Sequence, residues 1–205
     1  MILSRYCRPT TPLTLLLALF IWGCGNDTAK KGSRIPAYDV HSGTPKPQDE
    51  ALTGSYSLAF KDPLAQTSLA LQLQFQLEDG GTLVVNTFAK NEAKKGSEQK
   101  LRGGLNLSFT RRGKTLRGKF VSCCGDEMAD MPPLPDFDNQ DPVSMYILIE
   151  NGKPQVQIYK SKGDEQPVFD TESPDVVLNG DLYPGQGTYW GVSVTRGALY
   201  EAQLD

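Results

Sequence analysis

Apolar and polar residues alternate along most of the chain after residue 52. In the stretch 69–77, LALQLQFQL, the leucines and the phenylalanine fall on one face and Gln72, Gln74 and Gln76 fall on the other. A period of two is typical of a β-strand with one buried and one wet face. The alternation therefore predicts a sheet whose polar face carries a row of glutamines.

Similar stretches follow, and glycine-containing pairs that favour tight turns separate them. We predict turns at Asp79-Gly80, Arg112-Gly113, Asn151-Gly152, Pro184-Gly185 and Arg196-Gly197. The predicted inward residues are Tyr56, Leu58, Phe60, Leu105, Leu107, Phe109, Leu116, Gly118, Phe120, Met145, Ile147, Ile149, Val156, Ile158, Val176, Leu178, Leu182, Trp190, Val192 and Val194. Together these patterns indicate about 8–10 strands.

Consecutive hairpins predict an all-β antiparallel meander, because the pattern contains no helical period between the strands. We expect a closed or nearly closed barrel, since closure removes exposed strand edges; a sandwich is the alternative. Leu52-Thr53-Gly54-Ser55-Tyr56 resembles the Gly-x-aromatic opening of lipocalin-like and avidin-like barrels, which implies a similar outline. This resemblance assigns no ligand-binding residue.

The N-terminus carries the pattern of a secretory signal. Arg5 and Arg8 precede an apolar run over 13–22, and small Gly23 stands before Cys24. Ten residues as helix span only ~15 Å, about half of the apolar thickness of a bilayer. A cysteine in this position resembles the lipobox of bacterial lipoproteins, which implies that residues 1–23 are removed and that Cys24 is acylated.

That resemblance also implies a location. Three acyl chains on Cys24 would hold the protein firmly at a membrane of the cell envelope, because each buried methylene adds ~0.8 kcal/mol. Gly25, rather than aspartate, follows the cysteine, and this favours the outer membrane. Residues 24–51 are rich in Gly, Pro, Ser and Lys and lack an apolar period, so we expect a flexible linker before a domain at 52–205.

Composition and histidine content exclude several classes of function. The chain after residue 23 holds 19 basic and 24 acidic residues, and this mildly acidic balance predicts no nucleic-acid partner. The only histidine, His41, falls in the expected linker, so the domain cannot form a histidine-dependent triad or a histidine-ligated zinc site. No paired acids fall on inward positions. We therefore expect a protein that is not an enzyme and has no cofactor.

Cys123 and Cys124 are adjacent, and they are the only cysteines after Cys24. An oxidising compartment favours pairing, but neighbouring Cα atoms lie about 3.8 Å apart, below the usual disulfide range. A bond between them would be strained and easily reduced, which makes them a possible redox pair. The alternatives are a small core residue beside an exposed one, a bridge between molecules, or Cu(I) binding with Met128 and Met131.

Residues 125–141 hold six acids and no base, and they form the longest stretch without a pattern. Asp136, Asp138 and Asp141 offer oxygen ligands suited to Ca²⁺, although their spacing differs from an EF-hand. The alternatives are a solvated acidic loop, or a surface for a basic protein. In the second case Met128, Met131, Leu134 and Phe137 would be the apolar anchors.

Residues 90–119 are strongly basic. Arg102, Arg117 and Lys119 fall on the outward phase of two strands that we expect to be neighbours. Such a patch suits anionic lipid, a cell-wall polymer or the acidic segment of the same domain. A solvated face with no partner is the simpler interpretation.

The sequence as a whole predicts a membrane-anchored envelope lipoprotein with a non-catalytic β-domain that binds a protein or a small ligand. Most inward positions are bulky, which favours a filled core and a function on the loops, above all on 125–141. The alternatives are a lipocalin-like carrier of a small apolar ligand and a purely structural envelope protein.

Overall fold

The structure, a computed structural model, is all-β. It describes residues 34–61, 69–91, 101–102, 104–121, 127–137, 141–150, 153–160, 164–172 and 188–204. Within these ranges the chain forms twelve strands and no helix, hence no helix of the length and apolarity needed to cross a membrane. The strands are β1 (Tyr38–Gly43), β2 (Lys46–Gln48), β3 (Ala51–Phe60), β4 (Leu69–Asn91), β5 (Leu101–Arg102), β6 (Leu105–Arg112), β7 (Thr115–Val121), β8 (Glu127–Asp130), β9 (Val143–Glu150), β10 (Lys153–Tyr159), β11 (Phe169–Glu172) and β12 (Thr188–Leu204).

Two of the predicted hairpins are confirmed. β6 pairs with β7 around a turn that contains Gly113, whose φ of 57° lies in the left-handed region. β9 pairs with β10 from Glu150↔Lys153 onward. The inward residues of these strands, including Leu107, Phe109 and Ile147, are buried as the alternation predicts.

Two other predicted turns are wrong. β4 runs through Asp79-Gly80 as one strand of 23 residues, and β12 runs through Arg196-Gly197 as one strand of 17 residues. The two strands pair from Thr188↔Lys90 to Leu204↔Leu71, and residues 78–81 oppose Arg196. The positive φ of Gly80 and Arg196 thus produces a large bulge that bends both strands without reversing them.

The bend divides the sheet into two parts. Gly54 of β3, with φ 114°, pairs with Gly197 at the same level, so three adjacent strands bend together. We call one part the β9 half: β9, β10, β11 and β2, with 69–77 of β4, 197–204 of β12 and 51–54 of β3. The β6 half contains β6, β7, β8, β1 and β5, with 82–91 of β4, 188–195 of β12 and 56–60 of β3.

The inner faces of the two halves form one core. Inward residues of the β9 half, such as Phe75 and Ile147, belong to the same cluster as Phe109 and Trp190 of the β6 half. Trp190 stacks on Phe60 with ring centroids 3.9 Å apart. The core is therefore filled by bulky side chains from both halves.

The sheet is not closed in the described part of the chain, so the predicted barrel is wrong, and the alternative, a sandwich, fits better. β1 and β8 end the sheet on the β6 side, and β11 and β2 end it on the β9 side. The meander is also incomplete, because β12 lies between β3 and β4 and β4 pairs with both β6 and β9. Strands that are far apart in the sequence, such as β3 and β12, are therefore neighbours in the sheet, in place of a series of consecutive hairpins.

The expected linker differs from the structure over its second part. β1 pairs with β3 from Tyr38↔Phe60 to Gly43↔Tyr56, and β2 pairs with Ala51–Thr53. Ile35 is buried, and Tyr38 and Val40 pack against the core. These few apolar residues fix the segment to the sheet although its average composition is that of a flexible chain. Residues 24–33, with Cys24, lie outside the described residues.

Candidate functional site

The face of the β9 half that points away from the core is rich in glutamine and tyrosine. Paired residues form three cross-strand rows on it, because directly paired residues share a face. The rows are Glu201–Gln74–Ser144–Tyr159, Gln203–Gln72–Tyr146–Gln157–Asp170 and Ala70–Leu148–Gln155–Glu172. We call this surface the glutamine–tyrosine face.

An open groove of about 330 Å³ runs across this face. Its volume is within the range of small-ligand sites. The rings of Tyr146 and Tyr159 meet edge to face, with centroids 5.2 Å apart and an angle of 83° between planes. The residues that line the groove are Ala70, Leu71, Tyr146, Ile147, Leu148, Gln157, Tyr159 and Asp164.

Hydrogen bonds hold the polar side chains beside the groove in place. The Tyr159 hydroxyl donates to Gln157 Oε1 at 3.1 Å, and Gln157 Nε2 donates to Asp170 Oδ2 at 3.1 Å. Gln155 Nε2 donates to the other oxygen of the same carboxylate at 3.0 Å. This network orients one tyrosine and two amides before any ligand arrives, which lowers the entropic cost of binding.

Two side chains of the face are buried without hydrogen-bond partners. Gln72 is 8 % exposed and Ser144 is 0 % exposed. Neither Gln72 Nε2 nor Ser144 Oγ has a partner. Buried polar atoms without partners are rare and unfavourable, so each needs an explanation.

The face continues on β12. The Tyr200 hydroxyl donates to Gln76 Oε1 at 2.8 Å, and burial, with the charge of Asp49, raises the pKa of that phenol. Glu201 is fully buried and forms an ion pair with Arg34 at 3.5 Å. Arg34 also accepts a backbone hydrogen bond from Ala202, so the segment before β1 is attached beside this face.

The outward face of the β6 half carries short polar side chains that pair with one another. Thr82 and Thr110 hydroxyls lie 3.3 Å apart, and the Ser193 hydroxyl donates to Ser57 at 2.7 Å. The amide of Asn86 donates to Asn106 at 2.7 Å. We call this surface the serine–threonine face.

Three of the four expected anchors of the acidic segment pack against the domain's own core, and the side chain of Met128 lies outside the described residues. Met131 and Phe137 are buried in the core of the same domain, and Leu134 packs against that core. Backbone hydrogen bonds from Met131, Leu134 and Phe137 attach the segment to β7 and the turn before it. The expectation that these three side chains anchor a partner protein is therefore wrong. Residues 127–137 instead form an edge of the sheet, in which β8 pairs with β7.

The basic residues are only partly described. Arg117 and Lys119 are exposed on β7 as expected, and Arg102 belongs to β5, which pairs with β4, but its side chain lies outside what the structure describes. Lys119 forms an ion pair with Asp130 of the acidic segment at 3.2 Å. The patch that combines Arg102 with β7 therefore stays a prediction, and the Lys119–Asp130 pair neutralises part of the basic charge within the domain.

The predicted calcium and redox residues are only partly described. Asp136 and Asp141 are exposed, Asp136 with φ 55°, while Asp138 lies outside the described residues. Among the residues that are described, no group of three or more His, Cys, Asp or Glu side chains could hold a metal. Cys123 and Cys124 also lie outside the described residues, so calcium binding and the redox pair stay predictions.

Sequence reasoning missed the tyrosines of the groove. The side of the glutamines of 69–77 was predicted correctly, although Gln72 is buried and not exposed to water, and Tyr146, Gln157 and Tyr159 were not connected with them. These three residues alternate with the inward residues Ile147 and Ile158 along their strands. This alternation could have predicted that they point away from the core. The pairing of β4 with β9 brings the two sets together, and residues far apart in the chain carry no local sign of it.

Comparisons with known proteins add a likeness of fold. No family of known sequences and no curated protein matches the chain. The exoplasmic/lumenal domain of VIP36 in a Ca²⁺-bound form is similar at 13% identity and TM-score 0.57, over 87% of this chain and 86% of that one. The same domain with Ca²⁺ and Man3GlcNAc bound gives TM-score 0.54 at 13% identity, over 82% and 84%.

A third solved structure is also similar. The CBM2 module of the evolved Dit protein of Lactobacillus casei BL23 phage J-1 gives TM-score 0.55 at 9% identity, over 80% of this chain and 79% of that one. These likenesses support an antiparallel β-sandwich. At such low identity they concern the fold alone.

Proposed function

We propose that the chain is a non-catalytic saccharide-binding domain of the cell envelope, and that the glutamine–tyrosine face is its binding surface. The groove with Tyr146 and Tyr159 on that face is the observation that carries the proposal. The VIP36 exoplasmic/lumenal domain, which has a similar fold, binds Man3GlcNAc together with Ca²⁺, and this supports the choice of ligand class.

The chemistry of the face suits a sugar. A sugar ring has C–H groups on its faces and hydroxyls at its rim, so it packs on an aromatic ring and hydrogen-bonds to groups around it. Tyr146 and Tyr159 supply apolar ring surface with a polar tip. Glutamine amides both donate and accept, which matches hydroxyls that do the same.

In this proposal the N-terminal segment would act as a secretory signal and direct the domain out of the cytoplasm. Acylated Cys24 would hold the protein at the envelope, and the outer membrane is favoured because Gly25 follows it. Residues 25–33 would then separate the membrane from the first attached residues, Arg34 and Ile35. A domain held in this way would bind saccharides of the cell's own envelope or of its surroundings.

A glycan array with the full chain in detergent tests the binding function. We expect retention of one or more oligosaccharides, and we expect Tyr146→Ala to abolish retention because it removes the ring beside the groove. Tyr189→Ala is the matched control, since it removes a half-buried tyrosine from the β6 half. Retention of no saccharide, or an equal loss in both variants, would overturn the proposal.

The same array, run with Ca²⁺ and with EDTA, tests the calcium prediction. Asp136 lies beside Phe137, which bonds to Lys114 before β7, and Asp141 lies two residues before β9; neither lines the groove. If the groove binds by itself, EDTA leaves retention unchanged. Loss of retention in EDTA would assign binding to a calcium site instead.

Metabolic labelling with palmitate tests the anchor. We expect label on the full chain and none on Cys24→Ser, which should leave the membrane fraction for the soluble one. An unlabelled wild-type chain would refute the lipoprotein assignment without touching the saccharide proposal, because the groove lies in the folded domain.

A further inference from the structure

We infer that Gln72 and Ser144 form a pair that selects the ligand by hydrogen-bonding an uncharged oxygen of the bound saccharide; this rests on the proposed function. The two side chains have no role in the unliganded network. They lie on the glutamine–tyrosine face and their polar atoms have no partner there.

The position of the pair connects it with the groove. Gln72 is paired directly with Tyr146, and Ser144 is paired directly with Tyr159. Residues opposite each other on one face have Cβ atoms about 4.5–5.5 Å apart. Each orphaned side chain is therefore the immediate neighbour of one of the two groove tyrosines.

Thr87 shows how a buried hydroxyl is accommodated elsewhere in the same sheet. It is 0 % exposed, as Ser144 is. Its hydroxyl donates to the carbonyl oxygen of Leu105 at 3.3 Å. The lack of a partner at Ser144 is thus a property of its site and not of burial in this fold.

Both orphaned atoms are covered in the unliganded protein. The ring of Tyr146 is half-buried and Tyr146 is paired with Gln72, so a rotation of this ring about χ1 would open a path to the two atoms while Tyr159 keeps its hydrogen bond to Gln157. A sugar that packs against a displaced ring then brings a hydroxyl or carbonyl oxygen to Gln72 Nε2 and Ser144 Oγ. The ligand supplies the hydrogen bonds that the protein lacks, and a ligand without that oxygen leaves them unpaired.

The charges around the groove restrict the ligand class. Asp164 lines the groove, and Asp170 accepts the amides of Gln155 and Gln157 at its margin. Among the lining residues there is no lysine or arginine. Carboxylates repel uronic acids and sulfated sugars, so the complementary ligand is a neutral saccharide.

Two variants of the full chain test the pair: Ser144→Ala and Gln72→Met, each measured for binding and for melting temperature. The probe is the neutral oligosaccharide retained most strongly on the array, with a uronic-acid oligosaccharide for comparison. We expect each variant to raise the Kd for the neutral probe about tenfold, the worth of one hydrogen bond. The wild type should bind the acidic probe at least tenfold more weakly.

The melting temperature separates this role from a structural one. Removal of an unpartnered buried polar atom leaves the unliganded protein as stable or more stable, so both variants should melt at or above the wild-type temperature. Thr87→Val is the control, because it removes a hydroxyl that has a partner. It should melt lower and keep the wild-type Kd.

The outcomes distinguish the two proposals. An unchanged Kd in both variants, with binding abolished by Tyr146→Ala, would overturn the selecting pair and keep the saccharide function. A fall in melting temperature like that of Thr87→Val would assign Gln72 and Ser144 a structural role. A wild-type chain that retains no saccharide would end both proposals.

Discussion

The two outward faces of the bent sheet are both polar, but they differ in the polar groups that they carry. On the serine–threonine face the side chains bond to one another across strands, as in Thr82–Thr110 and Ser57–Ser193. On the glutamine–tyrosine face Gln72 and Ser144 lack partners, and a groove lies next to them. The combination of a groove with buried atoms that lack partners is the reason why we propose a ligand on the glutamine–tyrosine face.

The inner faces of the two halves, by contrast, form one apolar core. Truncation of one buried side chain in each half tests whether this core is shared. Phe75→Ala and Phe109→Ala remove fully buried rings from the β9 half and the β6 half. Each should lower the free energy of unfolding by about 3–5 kcal/mol. Urea unfolding followed by circular dichroism should show one transition for both variants, because the halves share one core.

A biphasic transition in either variant would contradict the single core. It would mean that the halves unfold as separate units, and the comparison of their faces would then concern two domains. The wild-type chain is the reference for the slope of the transition, which should not change.

The bend that separates the two faces is the next test. A Cβ at Gly81 would lie 2.5 Å from the carbonyl oxygen of Arg196 and 2.8 Å from that of Glu78. Because these are backbone atoms, Gly81→Ala should cost about 3 kcal/mol of unfolding free energy. The control is Gly113→Ala, where no atom lies within 4 Å of the new Cβ; its positive φ alone should cost about 1 kcal/mol.

Equal losses in the two variants would show that the strands do not approach at the bend as described. The measurement is the urea midpoint of each variant. A Gly81→Ala variant that still folds should keep the groove only if the bend is preserved, so its retention on the array is a second readout.

Asp79 gives the smallest effect, which depends on pH. The backbone N–H of Gly113 donates to its carboxylate at 2.6 Å and lowers its pKa, and the charges of Arg111 and Arg196 act in the same direction. A lowered pKa in the folded state adds stability above the pKa of an unfolded aspartate. That stability is lost as pH falls through the folded pKa.

Asp79→Asn should therefore lower the melting temperature slightly at neutral pH and have less effect in strong acid. Thermal melts of both proteins across this range give the difference. A difference that does not change with pH would show that the link between the bend and the β6–β7 turn does not depend on the charge.

Local patterns predicted the strands well and the connections poorly. Alternation identified the buried sides of β3, β6, β7, β9 and β10, because burial on one face leaves a signal in every second residue. Asp79-Gly80 and Arg196-Gly197 looked like turns because a positive φ, which Gly80 and Arg196 have, is used both to reverse a chain and to bend it. Which of the two occurs depends on the partner strand, and at the bend the paired residues Leu77 and Gly197 are 120 residues apart.

Average composition gave the wrong prediction for two segments whose position in the fold depends on a few apolar residues. Residues 38–48 read as a linker, yet Tyr38 and Val40 attach β1 to the core. The acidic segment read as a loop, yet Met131 and Phe137 bury their side chains and make it an edge of the sheet. In both cases the polar majority faces solvent, and one or two apolar side chains determine the position of the segment.

The sequence predicted only one part of the candidate site. The outward glutamines of β4 follow from alternation, whereas the tyrosines opposite them belong to β9 and β10. The unpaired state of Gln72 and Ser144 is a property of packing, which no sequence pattern reports.

The side-chain amides of the two faces permit a direct test, because glutamines mark one face and asparagines mark the other. In ¹H–¹⁵N spectra of the full chain in detergent, addition of the retained neutral oligosaccharide should shift the amides of Gln72, Gln155 and Gln157. The amides of Asn86 and Asn106 should not move. Shifts of the asparagine amides with unmoved glutamines would place the ligand on the wrong face and contradict the account.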